Sequence, residues 1–320
     1  MPANADNLVF NAASANGQYS ISLGGNRTTL GIVFSNTGTS GFTFSDGSNR
    51  TLTLNGSGLT NNNTNTQTFT NRVLITVGAT QTWNAASGAF SFAGTTTVSN
   101  ALTLAGSSSF TFGGQTTISN NTGITNTGSG NRTFNGTVVN SGGNRRFTND
   151  GSGTVTLSNV NLSNNNTGRT FTLAGTGTTT VGGTIANGGS GAGNIIKSGT
   201  GTLILSGTNT YTGTTTVSQG TLQVNSNAPS GADGALGNAT SAVTVNNAST
   251  AANNTALLIG TSGVTVGRNV TVANSGSGTT TLGGNIASGT GTFSGTVALN
   301  RSVNLNADGT SAVSFTNTLS

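Results

Sequence analysis

Residues 199–225, GTGTLILSGTNTYTGTTTVSQGTLQVN, form three short runs of alternating residues broken by glycine. Leu203 and Leu205 point to one side, as do Thr215 and Val217, then Leu222 and Val224. The breaks fall at Gly199, Gly201, Gly207, Gly213 and Gly220. A strand of about five residues cannot bury its apolar side alone and needs a copy of itself above and below. The segment therefore predicts a β-solenoid, a coil of strands stacked turn on turn.

The same alternation recurs at Phe42/Phe44, Leu52/Leu54, Phe90/Phe92, Leu102/Leu104, Phe110/Phe112, Phe171/Leu173 and Val303/Leu305. Period-two spacing puts both members of a pair on one face of a strand. A disordered chain has no reason to keep it, although 51 glycines and only 5% charged residues would otherwise point that way. Glycine also interrupts every window with helical spacing, so the fold class is all-β. Gly-x-Gly pairs mark the repeat: Gly151/Gly153, Gly175/Gly177 and Gly199/Gly201 follow at 24-residue spacing. Thr-Thr followed by Val, Ile or Leu, and Asn-Arg or Gly-Arg before a strand, recur at similar distances. A period of roughly 20–25 residues suits about three short strands per turn and roughly 14 turns. The whole chain, 1–320, reads as one solenoid domain. Residues 1–20 are expected to cap the N-terminal end. Residues 226–256, with Pro229, are expected to form a longer loop leaving the coil, with regular strands returning at Leu257.

The missing residue types exclude most catalysis. There is no His and no Cys, so His-based triads, thiol nucleophiles and ordinary zinc sites are ruled out. The only side-chain carboxylates are Asp6, Asp46, Asp150, Asp233 and Asp308, scattered and mostly beside glycine, as turn residues are. No enzyme, cofactor or metal is expected. The stretch GGSGAGNIIKSG resembles a phosphate loop only superficially, because Ile196 stands where glycine must precede Lys-Ser and a strand follows. Nucleotide binding is not expected, and Lys197 reads as a solvated residue. No group ordinarily titrates between about pH 5 and 8, which predicts flat stability across that window. The longest apolar run, residues 256–259, is far short of the ~18 needed to span a bilayer. The opening MPANADNLVF has no basic segment followed by an apolar run, so no signal peptide is expected in it.

Two surface patterns offer binding functions. Arg27, Arg50 and Arg72 lie 23 and 22 residues apart. Stacked on one edge they would make a basic ladder for a surface polysaccharide, a lipid phosphate or nucleic acid. The alternative is solvated turn arginines splayed apart. Thr95/Thr97, Thr178/Thr180, Thr214/Thr216 and Thr279/Thr281 fit the local pattern of an ice-binding threonine array. They recur at gaps that skip turns, so a continuous threonine face is not expected.

Residues 194–225 resemble the autotransporter-associated β-strand repeat, also called the passenger-associated transport repeat. The matching features are Lys197 before Gly199, Gly201-Thr202-Leu203, Leu205-Ser206-Gly207, Asn209-Thr210-Tyr211-Thr212-Gly213, Thr216-Val217 and Gly220-Thr221-Leu222. The resemblance implies a right-handed parallel β-helix outside a Gram-negative-type cell, extracellular or at the outer-membrane surface. There such stretches are scaffolds for adhesion, display or secretion. This chain departs from that family in showing neither a signal peptide nor a C-terminal translocator barrel. Either a piece of a longer passenger or a stand-alone subunit is expected. Low charge and unpaired end strands predict self-association, with filaments as one form.

Overall fold

Alternation decides which side chains turn inward, and glycine decides where each run stops. Phe90–Phe92, Thr96–Val98 and Leu102–Ala105 are three consecutive strands. The next three, Phe110–Phe112, Thr116–Ile118 and Gly123–Asn126, lie parallel on them, pairing Phe90 with Phe110, Thr96 with Thr116 and Leu102 with Ile124. One turn is thus three strands. In each three-residue strand the outer two side chains are buried and the middle one looks out. Repeated along the chain, this makes a parallel β-solenoid of about 13 turns with nearly no helix. The computed structural model describes residues 6–10, 19–35, 39–119, 123–307 and 310–320.

The chain divides into two compact units, Met1–Ser158 and Asn159–Ser320. The first is filled by aromatic columns. Phe44, Phe69, Phe92, Phe112 and Phe134 stack in order, with neighbouring ring centroids 4.6, 5.0, 5.2 and 4.4 Å apart. Rows of a parallel sheet repeat at ~4.8 Å, so like rings on successive turns fall naturally into offset contact. The second unit relies mainly on aliphatic columns, with an aromatic stack of Phe293 on Phe315. Leu203, Leu222, Leu257 and Leu282 are ladder partners in turn, and each is buried. Burying each such side chain contributes roughly 1.5–3 kcal/mol, available only once the neighbouring turns are in place.

Corners are made by glycine where turns press together. A Cβ on Gly201 would lie 2.2 Å from the carbonyl oxygen of Gly177, and one on Gly153 would lie 2.1 Å from that of Gly130. The Gly-x-Gly period in the sequence therefore marks corners stacked directly on one another.

Within 1–20, residues 1–5 and 11–18 lie outside the described residues. Asn7–Phe10 lies parallel on Gly31–Phe34, and Tyr19–Ser22 on Phe42–Ser45. Within 226–256, Ala228 bridges Val266 and Gly234 bridges Asn209. Val243–Val245 is already back in the stack, between Thr215–Val217 and Val270–Val272.

Candidate functional site

The three arginines expected to form a ladder are not ladder partners. Arg27 lies opposite Leu52, and Arg50 lies opposite Val73. Arg50 and Leu52 share one side of their strand, so Arg27 and Arg50 occupy neighbouring columns. Arg72 is one residue short of Val73 and exposed. Arg50 is already engaged, with Nε 3.4 Å from Asp46 Oδ1. The Asp46 carboxylate also accepts the Gly24 N–H at 2.9 Å and the Ser22 hydroxyl at 3.0 Å. The Gly24 N–H above all holds its pKa below the ordinary value, with smaller help from Ser22, Ser48 and Arg50 against some burial. Asp46 is thus a turn carboxylate. Asp308 lies outside the described residues. Among the described residues no three His, Cys, Asp or Glu side chains gather where a metal could sit.

Other cations are inside. Arg132 and Arg268 are fully buried, and Lys197 is 3% exposed. The reading of Lys197 as a solvated residue is therefore wrong. Its ammonium donates to three carbonyl oxygens, those of Gly199 at 2.5 Å, Ser198 at 2.8 Å and Gln219 at 3.0 Å. Two turns contribute these acceptors, so the side chain ties one corner to the next. Arg132 does the same in the first unit. Its Nη1 donates to Ser108 O at 2.7 Å, Nη2 to Gly106 O at 3.0 Å, and Nε to Asn126 Oδ1 at 2.9 Å. The guanidinium carbon stands 4.8 Å from the centre of the Phe110 ring. It fits because Gly128 and Gly130 have no side chains; a Cβ on Gly128 would sit 2.1 Å from Nη2. Arg268 donates to Leu236 O at 2.6 Å and, from Nη2, to Ser241 O at 2.5 Å. Carbonyl oxygens at a corner carry partial negative charge and lone pairs that the ladder leaves unused, so a buried cation can be satisfied there without a carboxylate.

Tyr211 and Asn209, also prominent in the sequence, join this fastening. The Tyr211 hydroxyl is 2.6 Å from Thr215 Oγ1, and its ring is wholly buried. Asn209 donates to Ala235 O at 2.6 Å and accepts the Ile185 N–H at 2.7 Å. Sequence reasoning missed Arg132 and Arg268. A usable sign for Arg132 was the pair of glycines two and four residues before it.

Burial pushes the Lys197 ammonium from 10.5 down to about 8, and the Arg132 guanidinium to about 10, still cationic at neutral pH. A lowered lysine pKa means that the unfolded chain binds more protons between the two values. Its stability contribution is full above 10.5 and is lost as pH falls through about 8. Stability is therefore expected to stay level from about pH 5 to 7 and to rise from about pH 8 to 10. The buried Tyr211 phenol, raised to about 12, opposes this only above its ordinary value of 10.0. Thermal melts across this range check it. Lys197→Met should remove the rise; an unchanged slope in that variant would refute the assignment.

Outward residues also form columns. On one face of the first unit Thr28, Thr53, Thr76, Thr97 and Thr117 are successive ladder partners. On a second, Thr82, Thr103 and Thr125 are, and the buried Thr148 is next in line. Of the threonines singled out in the sequence, Thr97 lies in such a column, whereas Thr180 faces Ile204, Thr216 faces Ile196 and Thr281 faces Ala256, so the expected interruption holds in the second unit and fails in the first. Turn lengths vary, so residues at uneven sequence gaps still land in register.

A solenoid whose buried polar side chains serve its own corners is a structural repeat module. Residues 195–224 match the passenger-associated-transport-repeat family. They span the Lys197 corner, Asn209, Tyr211 and the strand that reaches Val224. The repeat and the parallel solenoid around it fit an autotransporter passenger repeat protein. No curated protein and no solved structure matches the chain.

Proposed function

We propose that the chain is a non-catalytic structural and adhesive scaffold exposed outside a bacterial cell, which joins other copies of itself. The observation that carries this reading is the fastening of residues 195–224. Lys197, Asn209 and Tyr211, the polar residues that distinguish this repeat, are all at or below 3% exposure and bond to the chain itself. Polar groups spent on internal bonds stiffen the stack and leave no reactive centre at the repeat.

Self-association is supported by low charge, only 5% of residues, and by exposed leucines. Asn304–Asn306 lies parallel on Thr280–Gly284, and Thr310–Phe315 on Ser288–Phe293. Leu305 and Leu319 are 55% and 40% exposed. Exposed apolar side chains on a surface of low charge favour association between copies. Sedimentation of the purified chain over a wide concentration range tests this. Concentration-dependent growth is expected, and Leu305→Lys should suppress it. A strictly monomeric profile at the highest concentration would refute assembly, and surface proteolysis of intact cells that leaves the chain untouched would refute display.

A further inference from the structure

The third face of the first unit lies over the phenylalanine columns. Its central outward column is Ser20, Thr43, Thr68, Ser91, Thr111 and Thr133, each the ladder partner of the next. Every row carries a hydroxyl at the same place. The outward positions on either side are also short, as in Thr66-Gln67-Thr68-Phe69-Thr70 and Ala89-Phe90-Ser91-Phe92-Ala93. From residue 41 to residue 135 these outward positions hold only Gly, Ala, Ser, Thr and Asn. The face is therefore even in side-chain height, uncharged and regular in two directions. Rows repeat at ~4.8 Å, and outward side chains along a row at ~6.6 Å.

Stacked phenylalanine rings back it. Phe69, Phe92, Phe112 and Phe134 lie immediately after the central hydroxyl residues of their rows, stacked with interplanar angles of 19, 19 and 5°. Phe90 and Phe110 lie immediately before theirs, with centroids 5.3 Å apart. Ring stacks on both sides of the column hold row after row at one spacing, so hydroxyl positions cannot drift independently.

A regular array of hydroxyls and methyls recognises a ligand that is itself a flat lattice. Each hydroxyl both donates and accepts, so water between rows is held from two sides. The ordering cost is small because the side chains are short and branched and the backbone is fixed. Glycan chains are a poorer fit: no aromatic ring on this face points outward, and aromatic side chains are enriched where binding surfaces are buried. An anionic polymer would want cations, and the one on these rows, Arg132, is buried and points inward. We propose that this face binds ice, adsorbing to a crystal plane through ordered water held between its hydroxyl rows. This function is additional to the scaffold role and does not depend on it.

The test is ice recrystallisation inhibition and thermal hysteresis of the full chain. Wild type is expected to inhibit recrystallisation. Thr68→Lys with Thr111→Lys should abolish inhibition without shifting the thermal melt, because both residues point outward. Thr244→Lys, outward on the second unit, should leave inhibition intact. If the double variant does not fold, the single Thr111→Lys carries the same expectation. No inhibition by wild type overturns the proposal, as does equal loss in Thr244→Lys. A wild-type dimer that the double variant dissolves, with no effect on ice, would overturn it in favour of face-to-face pairing of two copies.

Discussion

Phe112→Ala is expected to destabilise the first unit by about 3–5 kcal/mol, the range for removing a buried aromatic ring. Phe112 is 1% exposed and lies between Phe92 at 5.2 Å and Phe134 at 4.4 Å. Two effects add. The ring's transfer from water is lost, and a gap opens in a column that cannot close, because backbone hydrogen bonds fix the height of every row. Trp83, the only tryptophan, is buried 6.2 Å from Phe112 and reports the transition in urea by its fluorescence. Thr111→Ala, one residue away but outward, is expected to cost within ~0.5 kcal/mol. Similar losses at the two positions would show that the column does not carry the stability assigned to it.

Gly199→Ala is expected to destabilise the second unit by about 3 kcal/mol, the sum of a left-handed backbone penalty of ~1–2 and overpacking of ~1–3. Gly199 has φ +69°, and its added Cβ would stand 2.5 Å from both the nitrogen and the oxygen of Gly175. The obstacle is backbone of the turn below, so no rotamer change relieves it. The same corner supplies Gly199 O to the Lys197 ammonium. Gly182→Ala is the contrast. Its Cβ would meet nothing within 4 Å, and its φ is not left-handed. That variant is expected to be neutral or up to ~1 kcal/mol more stable, through the unfolded chain. Equal effects at Gly199 and Gly182 in denaturant melts would contradict the stacked-corner account.

Most of the architecture was legible because burial follows alternation through most of the chain; the pair Val303/Leu305 is an exception, with Leu305 55% exposed. Phe42, Phe44, Phe90, Phe92, Phe110 and Phe112, paired by spacing alone, are all buried. The arginine ladder failed for a countable reason. The ladder step at Arg27 is 25 residues, to Leu52, and at Arg50 it is 23, to Val73. The arginines themselves are 23 and 22 apart, so the second falls two residues short and the third one short. A slip of two moves a side chain to the next column, and a slip of one turns it over. The threonine columns were hidden by the converse effect. Thr28, Thr53, Thr76, Thr97 and Thr117 are separated by 25, 23, 21 and 20 residues, so a search for one fixed period breaks them up. The Lys197 cage was not readable, because Gln219 O arrives from 22 residues away and backbone acceptors leave no mark in a sequence.

Lys197 is the only lysine in the chain. Acylating reagents and aldehyde fixatives, which attack side-chain amines, find no accessible ε-amine on the folded protein. Covalent tagging of that amine becomes a clock: each tag records one opening of the corner, and its rate measures how often the stack breathes.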